Sequence, residues 1–168
     1  MKLKQFFLFI TYLLFILSCK GQSTSNELGR IIFMAFKNDS FAILENCRLR
    51  KDQLGLLAIA HSYDTTSSDF VRYKTSYVEI SNKFFYRCKV SRSRFPWSLA
   101  ELVSIYLKDQ SGNIVPDETK NIPLLLEIRA KSGDSPVTLV FDTFIGPDKL
   151  WKIGNSISSA DGNPPISE

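Results

Sequence analysis

The amino-acid sequence predicts an α+β domain in which helices come first and an antiparallel sheet follows. Apolar residues recur every three or four positions in the first half of the chain, whereas after Pro96 they alternate with polar residues. The connections between the alternating segments are short, so neighbouring strands are expected to run antiparallel. Helices that precede such a sheet pack on it around a shared core, which is the α+β arrangement.

The first 18 residues are separate from this domain and have the pattern of an export signal. Lys2 and Lys4 give the segment a positive start, and the run from Phe6 to Leu17 is apolar apart from two hydroxyl-bearing residues. This run has 12 residues, whereas a membrane-spanning helix needs about 20. The sequence therefore predicts a signal peptide over residues 1–18 and no permanent transmembrane anchor.

A short motif ends this signal. Ile16-Leu17-Ser18-Cys19 resembles the lipobox of bacterial lipoproteins. The resemblance implies that the Cys19 thiol receives a diacylglycerol, that the chain is cut before it, and that the new amine is acylated. Because each buried methylene contributes about 0.8 kcal/mol, several acyl chains hold a protein firmly on a bilayer. The alternative makes Cys19 an ordinary small residue beside a cleavage site.

The residue after the lipobox bears on the membrane that would hold the protein. An aspartate there favours inner-membrane retention in the lipoprotein-sorting pattern, and this chain has Lys20 instead. The resemblance thus implies the outer membrane, facing the periplasm or the cell surface. Residues 19–26 are expected to form a lipidated tether that lets the domain stand away from the membrane, residues 27–158 a single domain and residues 159–168 a disordered tail.

The charge of the mature chain argues against nucleic acid as a partner. Removal of 18 residues from 168 leaves 150, a length that suits one domain. Lys2 and Lys4 leave with the signal, so 19 of the 21 basic side chains remain against 17 acidic ones. A nearly neutral domain has no overall electrostatic attraction for a polyanion. The export signal also argues against the compartment that holds nucleic acid.

Four helices are expected before the sheet. Thr24-Ser25-Asn26-Glu27 is a capping box for a helix over about 27–37, and Asn38-Asp39 ends it and caps a short helix through Cys47. A third helix is expected over about 52–62. The longest helix, about five turns, is predicted from a stripe at helical spacing. Its members are Phe70, Tyr73, Tyr77, Ile80, Phe84 and Cys88.

Four strands follow, each with apolar residues at alternate positions. Their inward faces are Val103, Ile105 and Leu107; Leu124, Leu126 and Ile128; Val137, Leu139 and Phe141; and Trp151, Ile153, Asn155 and Ile157. Turn signals separate them at residues 109–113, 131–136 and 146–148.

The end of the chain also carries a family resemblance. The segment from Ile122 to Ser158, which includes Leu150-Trp151-Lys152-Ile153-Gly154-Asn155-Ser156-Ile157, is similar to the closing strands of NTF2-like (cystatin-like cone) lipoproteins. The resemblance implies a long helix lying in a curved sheet that closes as a cone. This fold is shared by many unrelated activities, so it implies a cavity and no particular reaction.

Two cysteines remain after lipidation, and the sequence leaves their state open. Cys47 and Cys88 could form a disulfide outside the inner membrane, which would restrict the unfolded chain by about 4 kcal/mol in the chain-entropy model. They could equally be buried core thiols. Neither belongs to a CxxC pair and the chain has one histidine, so no metal site and no cofactor are predicted.

Basic residues gather at the end of the long predicted helix. Arg87, Lys89, Arg92 and Arg94 lead into Phe95-Pro96-Trp97. Together with an exposed Trp97 they could form a surface for lipid head groups, a polyanionic glycan or an acidic protein. The alternative is structural, because cations are favoured at a helix C-terminus and the two aromatic rings could simply plug the cone.

Three functions remain open from the sequence. The favoured one is a non-catalytic binding module of the cell envelope that holds a small ligand, a glycan or a protein partner. The second is a small cone-fold enzyme with His61 or Asp142 as the base, although both residues also suit ordinary structural roles. The third is an immunity protein that blocks a toxin delivered to the periplasm.

Lipidation of Cys19 is directly testable. Metabolic labelling with a clickable palmitate should mark the protein, and Cys19→Ser should remove both the label and most of the membrane-bound fraction, because the acyl chains supply the anchor. Ser18→Ala, which keeps a small residue before the cysteine, is the control and should stay labelled. An unlabelled wild-type protein, or a Cys19→Ser variant that stays on membranes, would contradict the prediction.

Overall fold

The structure is a computed structural model that describes residues 23–55, 64–117 and 124–159. Within these ranges no helix combines the length and the apolar character needed to cross a membrane. The described helices are α1 (Ser25–Lys37), α2 (Ala42–Asn46), α3 (Ser68–Thr75) and α4 (Tyr77–Ser93), with short 3₁₀ turns at Lys51–Gln53 and Trp97–Leu99. The strands are β1 (Glu101–Lys108), β2 (Leu124–Ser132), β3 (Ser135–Ile145) and β4 (Trp151–Ser159).

The predicted capping box forms at the start of α1. The Thr24 hydroxyl accepts a hydrogen bond from the Glu27 amide at 3.1 Å, and the Glu27 carboxylate accepts one from the Thr24 amide at 3.3 Å. The same carboxylate is held by Ser23, and these hydrogen bonds lower its pKa from the usual value. The helix begins at Ser25, two residues before the predicted position 27, because the residues inside the box already take helical geometry.

The long predicted helix is divided in two at Ser76. The Thr75 hydroxyl donates a hydrogen bond to the Val71 carbonyl at 2.7 Å, so the side chain competes with the backbone for a helical acceptor. α3 therefore ends at Thr75 and α4 starts at Tyr77. Of the third predicted helix, residues 56–62 lie outside the described residues.

The four strands form one antiparallel sheet in the order β1-β2-β3-β4, as the short connections predict. The prediction that Val103 shares the inward face of β1 is wrong. The pairing of β1 with β2 shifts between Leu102 and Ser104, so Val103 is the extra residue of a bulge and its side chain is 57% exposed. The β3–β4 pairing also shifts, because Gly154–Ser156 of β4 stand opposite Asp142 alone.

The helices cover one face of the sheet, which confirms the α+β class. α1 packs against β1 and β2, while α4 packs against β4. Aromatic rings fill the centre: Phe36 lies 5.0 Å from Trp97 and 6.2 Å from Phe141 between ring centroids, and Phe84 lies 6.3 Å from Phe141. Residues of the predicted disordered tail lie outside the described residues, apart from Ser159 at the end of β4.

Gly29 on α1 provides a test of this packing. A methyl group at this position would lie 2.7 Å from Cγ2 of Ile105 on β1. Alanine favours a helix over glycine by about 1 kcal/mol, whereas overpacking a core costs about 1–3 kcal/mol. We therefore expect Gly29→Ala to lower the free energy of unfolding by about 1 kcal/mol in urea denaturation.

Two controls make this result specific to the contact. In an Ile105→Ala background the clash is gone, so Gly29→Ala should become stabilising. Gly55→Ala, with nothing within 4 Å of the added methyl group, should cost nothing. Equal effects of Gly29→Ala in both backgrounds would contradict the close packing of α1 on β1.

Candidate functional site

The most unusual polar group in the described chain is the buried side chain of Arg48. The segment after α2 runs beside the outer edge of β4, where Arg48 forms a parallel bridge with Ile153. The Ile153 amide donates to the Cys47 carbonyl at 2.8 Å, which fixes the backbone at this point. From here the side chain enters the space between α4 and β4, and Arg48 is only 2% exposed.

The guanidinium of Arg48 contacts neutral groups on two elements, α4 and β4. Nη1 donates to the Ser81 hydroxyl of α4, and Nη2 donates to Oδ1 of Asn155 on β4 at 2.6 Å. Its central carbon lies 4.7 Å from the ring centroid of Phe84, 5.6 Å from that of Phe85 and 5.9 Å from that of Tyr77. These rings attract the cation through their electron-rich faces, each by about 0.5–2 kcal/mol.

The positive charge of Arg48 has no paired negative charge within the part of the chain that the structure describes. No carboxylate there forms an ion pair with it, and Nε is buried without a hydrogen-bond acceptor. Burial lowers the pKa of this guanidinium from its usual value, yet an arginine stays protonated in a protein. Buried charges are normally paired, because the loss of hydration costs several kcal/mol for each ion.

Polar side chains connect this buried cation to the partly exposed surface. Nδ2 of Asn155 donates to the hydroxyl of Tyr73 on α3, and both of these residues are half-buried. The Tyr77 hydroxyl donates to the Leu49 carbonyl at 2.7 Å. Burial raises the pKa of Tyr77 and outweighs the opposite effect of the neighbouring Arg48. We call the set Tyr73, Tyr77, Ser81, Asn155 and Arg48 the Arg48 centre.

Local structure explains how these side chains converge. Tyr77, Ser81, Phe84 and Phe85 recur at three- and four-residue spacing, so they lie on one face of α4. Asn155 lies in the irregular stretch of β4 opposite Asp142. Bulges redirect side chains and occur often beside functional sites. Alternation along the last strand predicts that Asn155 is on an inward face, whereas no sequence pattern singles out Arg48.

The predicted basic surface is only partly realised. The side chains of Lys89 and Arg94 are exposed and that of Arg87 is half-exposed. Arg92 instead connects α4 to α1, since its Nε donates to the Phe36 carbonyl at 2.8 Å and lies 3.5 Å from Oδ1 of Asp39. Trp97 does not belong to this surface. It is 1% exposed and packs on the core rings, which matches the structural alternative.

Of the two alternative candidates for a catalytic base, His61 or Asp142, the structure describes only Asp142. His61 lies outside the described residues. Asp142 alternates with the buried Phe141 and Thr143, so it lies on the sheet face away from the helices, where its Cβ is close to Gly154. No three metal-ligating side chains of the described ranges form a group that could hold an ion.

Other charged side chains of the sheet are already neutralised by partners. On the outer face, Glu127 accepts from Lys108 at 2.6 Å and from Arg129 at 2.7 Å. Burial raises the pKa of Glu127, but these two hydrogen bonds more than offset it and hold the pKa below its usual value. An open cleft of about 340 Å³ lies beside the β2–β3 turn, where Lys131 pairs with Glu101 at 3.6 Å. Glu127 and Glu101 are therefore both paired with cations.

Comparison with known protein families, with curated proteins and with solved structures finds no match to this chain.

The two cysteines are core thiols in this structure, with no disulfide joining them. Cys47 and Cys88 are both 0% exposed, and burial raises the pKa of the Cys88 thiol to about 12, against the lowering effect of Arg48. The reactive thiolate is therefore scarce at neutral pH.

We expect iodoacetamide to leave Cys47 and Cys88 unmodified in the native protein and to alkylate both after denaturation without reductant. A Ser98→Cys variant provides an exposed thiol as the positive control, and it should react in the native state. Mass analysis that finds positions 47 and 88 joined, and therefore unreactive after denaturation, would establish the disulfide alternative instead.

Proposed function

We propose that this protein is a lipid-anchored component of the bacterial cell envelope that binds a small anionic ligand at the Arg48 centre without transforming it. The observation that carries the binding proposal is the buried guanidinium of Arg48, which has neutral partners and an unused Nε donor. The lipobox-like Ile16-Leu17-Ser18-Cys19 supports the anchor and the location, which we take to be the outer membrane.

The chemistry of the Arg48 centre favours a carboxylate or phosphate group. A guanidinium presents several N–H donors in a planar fork that suits two anionic oxygens. Two unit charges 4 Å apart attract by about 4 kcal/mol at an effective dielectric constant of 20, so an anion gains more here than in water. The rings of Phe84 and Phe85 would contact an apolar part of the ligand.

Access to Arg48 would pass the partly exposed pair of Tyr73 and Asn155. Oδ1 of Asn155 already occupies one position at the guanidinium that an anionic oxygen would prefer. An incoming anion would replace or join this neutral oxygen, while the Tyr73 hydroxyl offers a further hydrogen-bonding group at the entrance. We infer binding rather than catalysis because the groups around Arg48 are neutral amides, hydroxyls and rings.

The finer fold assignment is part of the same proposal. An NTF2-like cone would enclose a ligand between its long helix and a curved sheet, and the Arg48 centre lies between α4 and β4. Bulges in the β1–β2 and β3–β4 pairings support curvature, because a bulge bends its strand and increases the local twist.

Anion-dependent stability tests the proposal. A ligand that binds only the native state raises its stability by about 2.7 kcal/mol at a hundredfold excess over the Kd. We expect sodium acetate or sodium phosphate to raise the Tm of the lipidated protein in detergent. Asn155→Asp places a carboxylate beside Arg48, so it should raise the Tm without added anion and abolish the site-specific response.

The comparison between variants separates this response from general salt effects. Phosphate and similar salts stabilise most proteins by exclusion from the surface, and that contribution should persist in every variant. Asn82→Asp, on the exposed side of α4, adds the same charge away from the site and should respond like the wild type. If Asn155→Asp responds to both anions as strongly as the wild type, Arg48 does not bind them.

A further inference from the structure

The structure fixes the point at which the tether joins the folded domain. The Ser25 amide donates to Oδ2 of Asp117 at 3.1 Å, and the Ser25 hydroxyl donates to Oδ1 of the same carboxylate. Ser25 is 6% exposed, so the first turn of α1 is held against the segment that follows β1. The connection from Cys19 to the folded domain can therefore be no longer than the residues between Cys19 and Ser25.

The segment after β1 is itself firmly held. The Asp109 carboxylate accepts hydrogen bonds from the amides of Ser111 and Asn113, both at 2.9 Å. The Val115 amide donates to the Leu107 carbonyl at 2.9 Å, and the Val115 side chain packs on the core. Ile114 beside it is 65% exposed, so a rigid turn presents an aliphatic side chain to the outside.

From these contacts we propose that the end of the domain formed by Ser25 and the segment Asp109–Asp117, the proximal end, lies against the lipid bilayer, with Ile114 in contact with it. This inference rests on the lipid anchor at Cys19 that is part of the proposed function.

The length of the tether limits how far the proximal end can lie from the lipid anchor. Ser25 is six positions after Cys19, and a fully extended chain advances at most about 3.6 Å per residue, or about 22 Å in all. Ile114 is three residues from Asp117, the partner of Ser25, so its Cα lies within about 11 Å of that of Asp117. The anchored chain thus keeps Ser25, and the proximal end with it, within about 22 Å of Cys19.

Charge indicates the kind of bilayer. Three carboxylates, those of Glu27, Asp109 and Asp117, lie at or beside the proximal end. Arg30 lies about one turn further along α1, and Lys108 is already paired with Glu127. Acidic side chains repel anionic lipid, so a zwitterionic surface fits this end better.

The opposite end of α1 supplies a matched control. Lys37 donates to the Ala100 carbonyl at 2.8 Å, which places the exposed Leu99 beside the last turn of the helix. A helix of 13 residues is about 20 Å long. Leu99 and Ile114 are therefore two exposed aliphatic residues at opposite ends of the same element.

Depth-dependent fluorescence tests the orientation. The lipidated full-length protein, as an Ile114→Cys or a Leu99→Cys variant labelled with an environment-sensitive dye, is reconstituted into phosphatidylcholine vesicles with brominated acyl chains. Vesicle flotation measures anchoring, and bromine quenching measures contact with lipid. We expect both variants to float, and quenching at position 114 to be several times that at position 99.

Each other outcome overturns the inference in a distinguishable way. Flotation with equal quenching at both positions would reject the orientation and leave the anchor intact. If the emission of the dye at position 114 is shifted but not quenched by bromine, position 114 contacts protein instead of lipid, such as a second copy of the chain. Failure of both variants to float would reject the anchor and the orientation together, while the Arg48 centre would still be tested separately by the anion response.

Discussion

A buried guanidinium without a carboxylate partner among the described residues organises the interface between α4 and the edge of the sheet. Arg48 is 2% exposed and contacts Ser81 of α4 and Asn155 of β4, with three aromatic rings around the charge. A charge in this position loses free energy of hydration, and contacts with rings and hydrogen bonds must offset that loss. The helix face, the strand edge and the loop that carries Arg48 are therefore constrained together.

The buried Arg48 also makes the space between α4 and β4 positively charged. An apolar core between helix and sheet would contribute only packing, whereas the Arg48 centre leaves a net positive charge with an unused donor. The groups in direct contact with the guanidinium are neutral, and an anion is the complement that we propose for it. The paired charges on the outer sheet face show the contrast, because Glu127 is bound by Lys108 and Arg129 and offers nothing to a ligand.

The two ends of α1 connect the tether to the start of the sheet. Its N-terminus is fixed to Asp117 by Ser25, and its C-terminal Lys37 is fixed to the Ala100 carbonyl. The helix is thus a rigid spacer between the tether and the start of the sheet. A lipid attached six residues before Ser25 would hold the domain by one end and restrict its orientation on the bilayer.

The sequence by itself determined the elements whose information is local. Apolar alternation predicted all four strands and, apart from Val103, their inward faces, and the Thr24–Glu27 capping box predicted the start of α1 to within two residues. The tertiary structure decided the bulge that exposes Val103, the burial of Trp97 and the whole of the Arg48 centre. Ser81 and Asn155 are 33 and 107 residues from Arg48 along the chain. Periodicity reports which side of its own element a residue faces, so it cannot show which distant groups surround a charge once the elements pack.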